Sequence, residues 1–207
     1  MRTLVAFLIF IAFTSLPAQS QNSEEKRILF FGDSITAGLG VDKSQSFPAL
    51  IQQKLDSAGM NYEVINAGLS GETSAGGLRR IDWVMQKPVD IFVLELGGND
   101  ALRGIDLGST KNNLQQIIDK VQEKYPEVQI FLAGMQVPPN LGQEYTSNFQ
   151  KMYPELAEEN DLPLIPMMLE KIGGSDIYMQ EDGIHPTPAG HNIIAESIWN
   201  ELSPILN

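Results

Sequence analysis

Five short apolar runs, at 28–31, 62–65, 91–96, 130–133 and 162–165, alternate along the chain with longer segments whose apolar residues recur at helical spacing. A strand with one wet face alternates apolar and polar residues, whereas a run that is apolar throughout belongs to a strand buried on both sides. Such strands, separated by helical stretches, predict an α/β fold in which crossover helices cover a parallel sheet. Pro163 cannot donate a ladder hydrogen bond, which assigns the fifth run to a sheet edge.

The helical segments carry their own punctuation. Phe47, Leu50, Ile51 and Leu55 form one apolar face behind a Ser46 cap, with Gly59 as the stop. Leu114, Ile117, Ile118, Val121 and Tyr125 form another, from a Ser109 cap to the breaker Pro126. Phe149, Met152, Leu156 and Ala157 predict a third, kinked or split at Pro154, and a last helix starts near Thr187 and Pro188 and buries Ile194, Ile198 and Leu202. No internal repeat and no Pro-, Gly- or Ser-rich linker divides the chain, so one domain is expected.

Composition excludes several function classes. With 26 acidic and 14 basic residues the formal charge is -12, which repels a polyanion such as DNA. The absence of cysteine removes disulfides, thiolate metal sites and a cysteine nucleophile together. At the N-terminus Arg2 precedes ten apolar residues, Leu4 to Phe13, and then the small-residue pattern Ala18-Gln19-Ser20. This pattern predicts a secretory signal peptide over residues 1–20, because the run falls short of the roughly 20 residues that span a bilayer. The domain is then 21–207, exported to the periplasm or beyond without a stable membrane anchor, and expected to be a monomer.

In an open parallel sheet the ligand sits at the carboxyl ends of the strands, so the residues just after each apolar run are where chemistry is to be sought. Gly32-Asp33-Ser34-Ile35-Thr36 follows the first run, Asn66 to Thr73 the second, and Gly97-Gly98-Asn99-Asp100 the third, while Asp182-Gly183-Ile184-His185-Pro186 comes after the fifth. A serine hydroxyl becomes a nucleophile when a carboxylate-oriented histidine takes its proton. Ser34, Asp182 and His185 supply those three groups, and the Asp-x-x-His spacing lets one turn present carboxylate and imidazole together. The tetrahedral intermediate also needs donors for its oxyanion. The side-chain amide of Asn99 and the backbone N–H groups of Gly71 and Ser34 fit that need.

Blander accounts exist for each segment alone. Gly-Asp-Ser is an ordinary strand-to-helix cap, and Gly71 and Gly97-Gly98-Asn99-Asp100 are ordinary turn chemistry. Asp182 and His185 with Asp33 or Asp100 are a possible metal site, disfavoured by the single well-placed histidine. His191 is expected to be a partly exposed helix residue, Asp33 and Asp100 to hold loops through backbone hydrogen bonds, and Glu95 to need a partner if buried.

Together the four blocks resemble those of the SGNH hydrolases, also called GDSL esterases, which supply a serine, a glycine, an asparagine and a histidine in this order. The likeness is greatest to small bacterial enzymes acting as arylesterase, acyl thioesterase and lysophospholipase, and it covers nearly all of residues 27–205, with the run Glu95 to Gly104 especially similar. The resemblance implies a three-layer α/β/α sandwich around five parallel strands in the order 2-1-3-4-5. It further implies Ser34 as nucleophile, Asp182 and His185 as its relay, and Ser34, Gly71 and Asn99 as the oxyanion hole. No Gly-x-Ser-x-Gly occurs, so the nucleophile elbow of the α/β-hydrolases is missing.

The expected activity is hydrolysis of a small ester or lipid through an acyl-serine intermediate, without cofactor or metal. A carbohydrate O-deacetylase and a non-catalytic, flavodoxin-like binding module are the alternatives. Residues 135–148 are expected to form a long loop after the fourth strand whose Met135, Val137, Leu141 and Tyr145 wall the acyl pocket.

Overall fold

The computed structural model describes residues 25–137, 141–166 and 168–206. The expected signal peptide lies outside them. Five parallel strands, β1 (Lys26–Gly32), β2 (Tyr62–Gly68), β3 (Ile91–Glu95), β4 (Gln129–Ala133) and β5 (Leu164–Ile165), lie in the order β2-β1-β3-β4-β5. Ile28, Leu29, Phe30 and Phe31 of β1 and all of β3 are buried, as continuous apolar runs require. β5, with Pro163 before it, is the predicted edge.

Helices α1 (Ser34–Ala37), α2 (Phe47–Ser57), α3 (Ser74–Val84), α4 (Gly98–Leu102), α5 (Leu107–Lys124), α6 (Gln143–Glu159) and α7 (Pro188–Leu202) complete the fold. α2 packs on α7 against one face of the sheet, while α3, α5 and α6 follow one another on the other, giving three layers. In register, Gly32 of β1 stands opposite Gly68 of β2 and Glu95 of β3. Three strands therefore end at one level, and the segments that leave them converge.

Several local details differ from the sequence reading. α5 is capped by Asp106, whose carboxylate accepts from Ser109 N–H at 2.9 Å, so Ser109 sits inside the first turn. Ser46 occupies the cap position of α2, but its hydroxyl donates to the Lys43 carbonyl instead of capping. α6 runs unbroken through Pro154 and begins at Gln143, so the connection from β4 is shorter than 135–148. α3 has no counterpart among the helices expected from sequence. His191 is fully buried on α7, where its Nδ1 accepts from Phe47 N–H at 3.2 Å; the expectation of partial exposure is wrong because α2 covers that face.

Candidate active site

At the end of β1, Asp33 caps the single turn α1, its Oδ1 accepting from Ile35 N–H at 2.9 Å. Ser34 is thereby the first residue of the turn, and among the described residues its N–H meets no acceptor. The turn is gripped from below by Glu95, whose Oε2 accepts from Asp33 N–H at 3.2 Å and from the Thr36 hydroxyl at 2.6 Å. Among the described residues Glu95 Oε1 has no partner, and burial, aided by the negative charge of Asp33, pushes the Glu95 carboxyl well above its ordinary range. Burial likewise raises Asp33 to about 6, against the bonds from Ile35 and Asn99 that lower it.

Beyond β2 the chain turns sharply at Leu69–Glu72, closed by Glu72 N–H on the Leu69 carbonyl at 3.0 Å. Gly71 is the third residue of that turn with φ +77°, a backbone state that a side chain disfavours, and its N–H also takes no acceptor among the described residues. Arg80 of α3 welds this turn to β1: its guanidinium lies 4.1 Å over the Phe31 ring, pairs with Glu72, and donates to the carbonyls of Gly32 (3.2 Å) and Ala67 (2.9 Å). Past β3, Asn99 lies in the first turn of α4 and donates through Nδ2 to Asp33 Oδ2 at 3.0 Å. This bond orients the amide and leaves its second N–H free. Asp100, buried beside it, accepts from Ser74 N–H at 2.8 Å and from the hydroxyls of Ser74 and Thr110.

The fourth segment lies between β5 and α7. Asp182 Oδ1 accepts from the N–H groups of Ile184 (2.9 Å) and His185 (3.0 Å), and Oδ2 meets His185 Nδ1 at 2.6 Å. Desolvation raises the Asp182 carboxyl, but the bonds from the His185 ring and these two backbone groups outweigh it and hold it at about 2. A charged acceptor on Nδ1 places the ring proton there. Nε2 is then the lone-pair side, 2.9 Å from Ser34 Oγ, ready to take its proton. Gln180 ties the segment across the mouth, donating to the Leu39 carbonyl at 2.8 Å and the Pro186 carbonyl at 2.9 Å.

Ser34, Asn99 and His185 line a cleft of about 590 Å³ whose apolar wall includes Leu102, Met135, Val137, Leu169, Met179 and Ile184. Two of the four expected wall residues, Met135 and Val137, are thus present in it. Leu141 and Tyr145 are not: both pack against the core, and the Tyr145 hydroxyl donates to the Ile105 carbonyl at 3.0 Å. Tyr145 lies in the first turn of α6 and Leu141 just before its Gly142 cap. In their place the wall takes residues from the long segment before α7, which sequence spacing did not single out. Glu95, Thr36, Arg80 and Arg103 were also unassigned by sequence, although Thr36 lies inside the first block and Glu95 and Arg103 in the run Glu95 to Gly104. Among the described residues no three histidine, aspartate or glutamate side chains group as a metal site.

Residues 30–193 match the model of the GDSL-like Lipase/Acylhydrolase family. The chain is 40% identical over 189 residues to esterase TesA of Pseudomonas aeruginosa, covering 90% of this chain and 92% of that protein. To the Escherichia coli K12 protein named thioesterase 1/protease 1/lysophospholipase L1 it is 35% identical over 202 residues, 97% of this chain and 91% of the other. The crystal structure of TesA superposes with a TM-score of 0.83 over 87% of this chain and 100% of that one. A serine, an imidazole and a carboxylate in hydrogen-bonded series at the carboxyl end of a 2-1-3-4-5 sheet accord with that match, and the chain belongs to the GDSL-like lipase/acylhydrolase family of ester hydrolases.

Proposed function

We propose that Ser34 Oγ attacks the carbonyl carbon of a carboxylic ester while His185 Nε2 takes its proton and Asp182 holds the resulting imidazolium. The carbonyl oxygen becomes an oxyanion received by the N–H groups of Ser34 and Gly71 and by Asn99 Nδ2. On collapse His185 returns the proton to the leaving alcohol, and the acyl-serine formed is cleaved by water through the same steps. The observation that carries this reading is the continuous relay of 2.6 Å and 2.9 Å from Asp182 through His185 to Ser34.

The apolar cleft beside Ser34 suits an alkyl or aryl acyl group better than a sugar, so the substrates are aryl and alkyl esters, lysophospholipids and acyl thioesters. The name of the E. coli relative supports this range. Residues 1–20 act as a signal peptide, which places a monomeric enzyme where lipids and esters are more available than acyl-coenzyme A. The test is purified Ser34→Ala: turnover of p-nitrophenyl esters and of a lysophospholipid is expected to vanish while the thermal midpoint is kept. Substantial residual turnover would refute the mechanism.

A further inference from the structure

The turn that carries Gly71 is held from two directions. On one side Arg80 pairs with Glu72 and bonds the Ala67 carbonyl. On the other, Arg103 Nη2 donates to the Gly71 carbonyl at 3.0 Å, and the one atom within 4 Å of the place where a Gly71 side chain would sit is that same Nη2, at 3.7 Å. Arg103 is also the C-cap of α4, its own N–H donating to the carbonyls of Asn99 and Asp100 at 3.2 Å each. One short helical turn thus carries Asn99 at its start and, at its end, the side chain that grips the Gly71 turn.

The charges around this point make the cation unusual. Asp33 bonds Asn99 directly and Glu95 lies behind it, so an oxyanion here forms beside carboxyl groups. Arg103 is exposed in a protein with 26 acidic residues, yet among the described residues it forms no ion pair and directs its bond to a carbonyl. A guanidinium held next to the peptide of a proposed oxyanion donor offsets the negative field that Asp33 projects on the same spot.

We infer that Arg103 is a positioning residue for ester hydrolysis, locking the Gly71 turn to α4 and lending positive charge to the developing oxyanion without touching substrate. The inference rests on Gly71 and Asn99 being oxyanion donors. A solvated surface arginine would do neither and would be replaceable at no cost to turnover.

The test is kcat and KM for p-nitrophenyl acetate and butyrate, with thermal midpoints, for the wild-type chain, Arg103→Gln, Arg103→Lys and Asn99→Ala. Asn99→Ala, which removes a donor outright, is expected to lose roughly a hundredfold in kcat. Arg103→Gln is expected to lose about tenfold or more in kcat with KM changed less than about threefold, and Arg103→Lys, which keeps a charge and a donor, to recover most of it. Phosphonylation of Ser34 by a p-nitrophenyl phosphonate, which develops the same oxyanion, is expected to slow in parallel. The inference is overturned if Arg103→Gln keeps kcat within about twofold while Asn99→Ala is impaired, if Arg103→Lys is as slow as Arg103→Gln, or if only KM or the thermal midpoint moves. Wild-type kcat in Asn99→Ala would instead remove the oxyanion reading itself.

Discussion

His191 offers a quantitative test of the packing beneath the site. The ring is fully buried between α7 and α2, its Nδ1 accepting from Phe47 N–H and its Nε2 without a partner among the described residues. Desolvation, helped by the nearby His185, lowers its pKa from 6.5 to about 4. Between those values the unfolded chain binds a proton that the native state refuses, so stability present above pH 6.5 is lost as pH falls toward 4. At 1.36 kcal/mol per unit the full loss is about 3 kcal/mol, of which roughly 2 kcal/mol is gone at pH 5. Asp33 and Glu95 work the other way: both carboxyls are raised in the native state, Glu95 well above its ordinary range and Asp33 from 3.8 to about 6, and Asp33 by itself returns ~1 kcal/mol over the same interval. The wild-type slope is therefore muted, and the informative quantity is its difference from His191→Asn, which keeps an acceptor for Phe47 but does not titrate. Urea melts at pH 7 and pH 5 are expected to show a stability loss about 2 kcal/mol larger in the wild type than in the variant. Equal losses in the two proteins would refute the claim that His191 is held neutral.

Three further outcomes follow from the site. Asn99→Ala is expected to lower kcat by about a hundredfold with a smaller change in KM, read from initial rates on a p-nitrophenyl ester; near-wild-type kcat in a folded variant would leave Asn99 a turn residue only. Val137→Ser, which puts a hydroxyl into the apolar wall, is expected to lower kcat/KM for the octanoate ester several-fold more than for the acetate, at ~0.8 kcal/mol per methylene no longer well buried, whereas Leu141→Ala leaves the ratio unchanged; the same shift from both substitutions would contradict the placement of Leu141. Because a serine hydroxyl activated by imidazole needs no ion, turnover is expected to survive EDTA, and loss restored by a divalent cation would revive the metal reading of Asp182 and His185.

The strands were legible because burial on both faces leaves a continuous apolar run, as in Ile28 to Phe31 and Ile91 to Leu94. α3 was not, because its buried face is made partly of glycine. At Gly77 a side chain would come within 2.5 Å of Leu96 and 3.1 Å of Phe31, so the helix sits close to the sheet and shows little of the apolar period that betrays α5. The wall of the cleft was misplaced for a related reason. Leu141 and Tyr145 are apolar enough for a pocket, but α6 begins at Gln143 behind Gly142, a backbone event that composition does not announce, and Tyr145 in its first turn and Leu141 before it both pack against the core.

The candidate reacting groups could be singled out because their segments carry glycine or proline and, for Ser34 and Asn99, follow a strand end; what holds them could not, because those partners are ordinary residues remote in sequence. Glu95 meets Asp33 across 62 positions and Arg80 meets Gly32 across 48. Glu95 also shows why residue type alone misleads. Ionised, it would set a second negative charge beside Asp33, against the oxyanion that Asn99 is proposed to receive. Burial and the neighbouring Asp33 push its carboxyl well above the ordinary range, which favours the neutral form, and its Oε2 accepts from Asp33 N–H and the Thr36 hydroxyl. The turn that carries Ser34 is thus gripped by a carboxyl whose surroundings disfavour a charge, while Asp33 is the carboxyl bonded to Asn99, a proposed oxyanion donor. An amide at position 95 could make the same two acceptances, whereas an ionised acid there would oppose the proposed oxyanion, so surroundings that favour the neutral form of Glu95 suit the proposed chemistry.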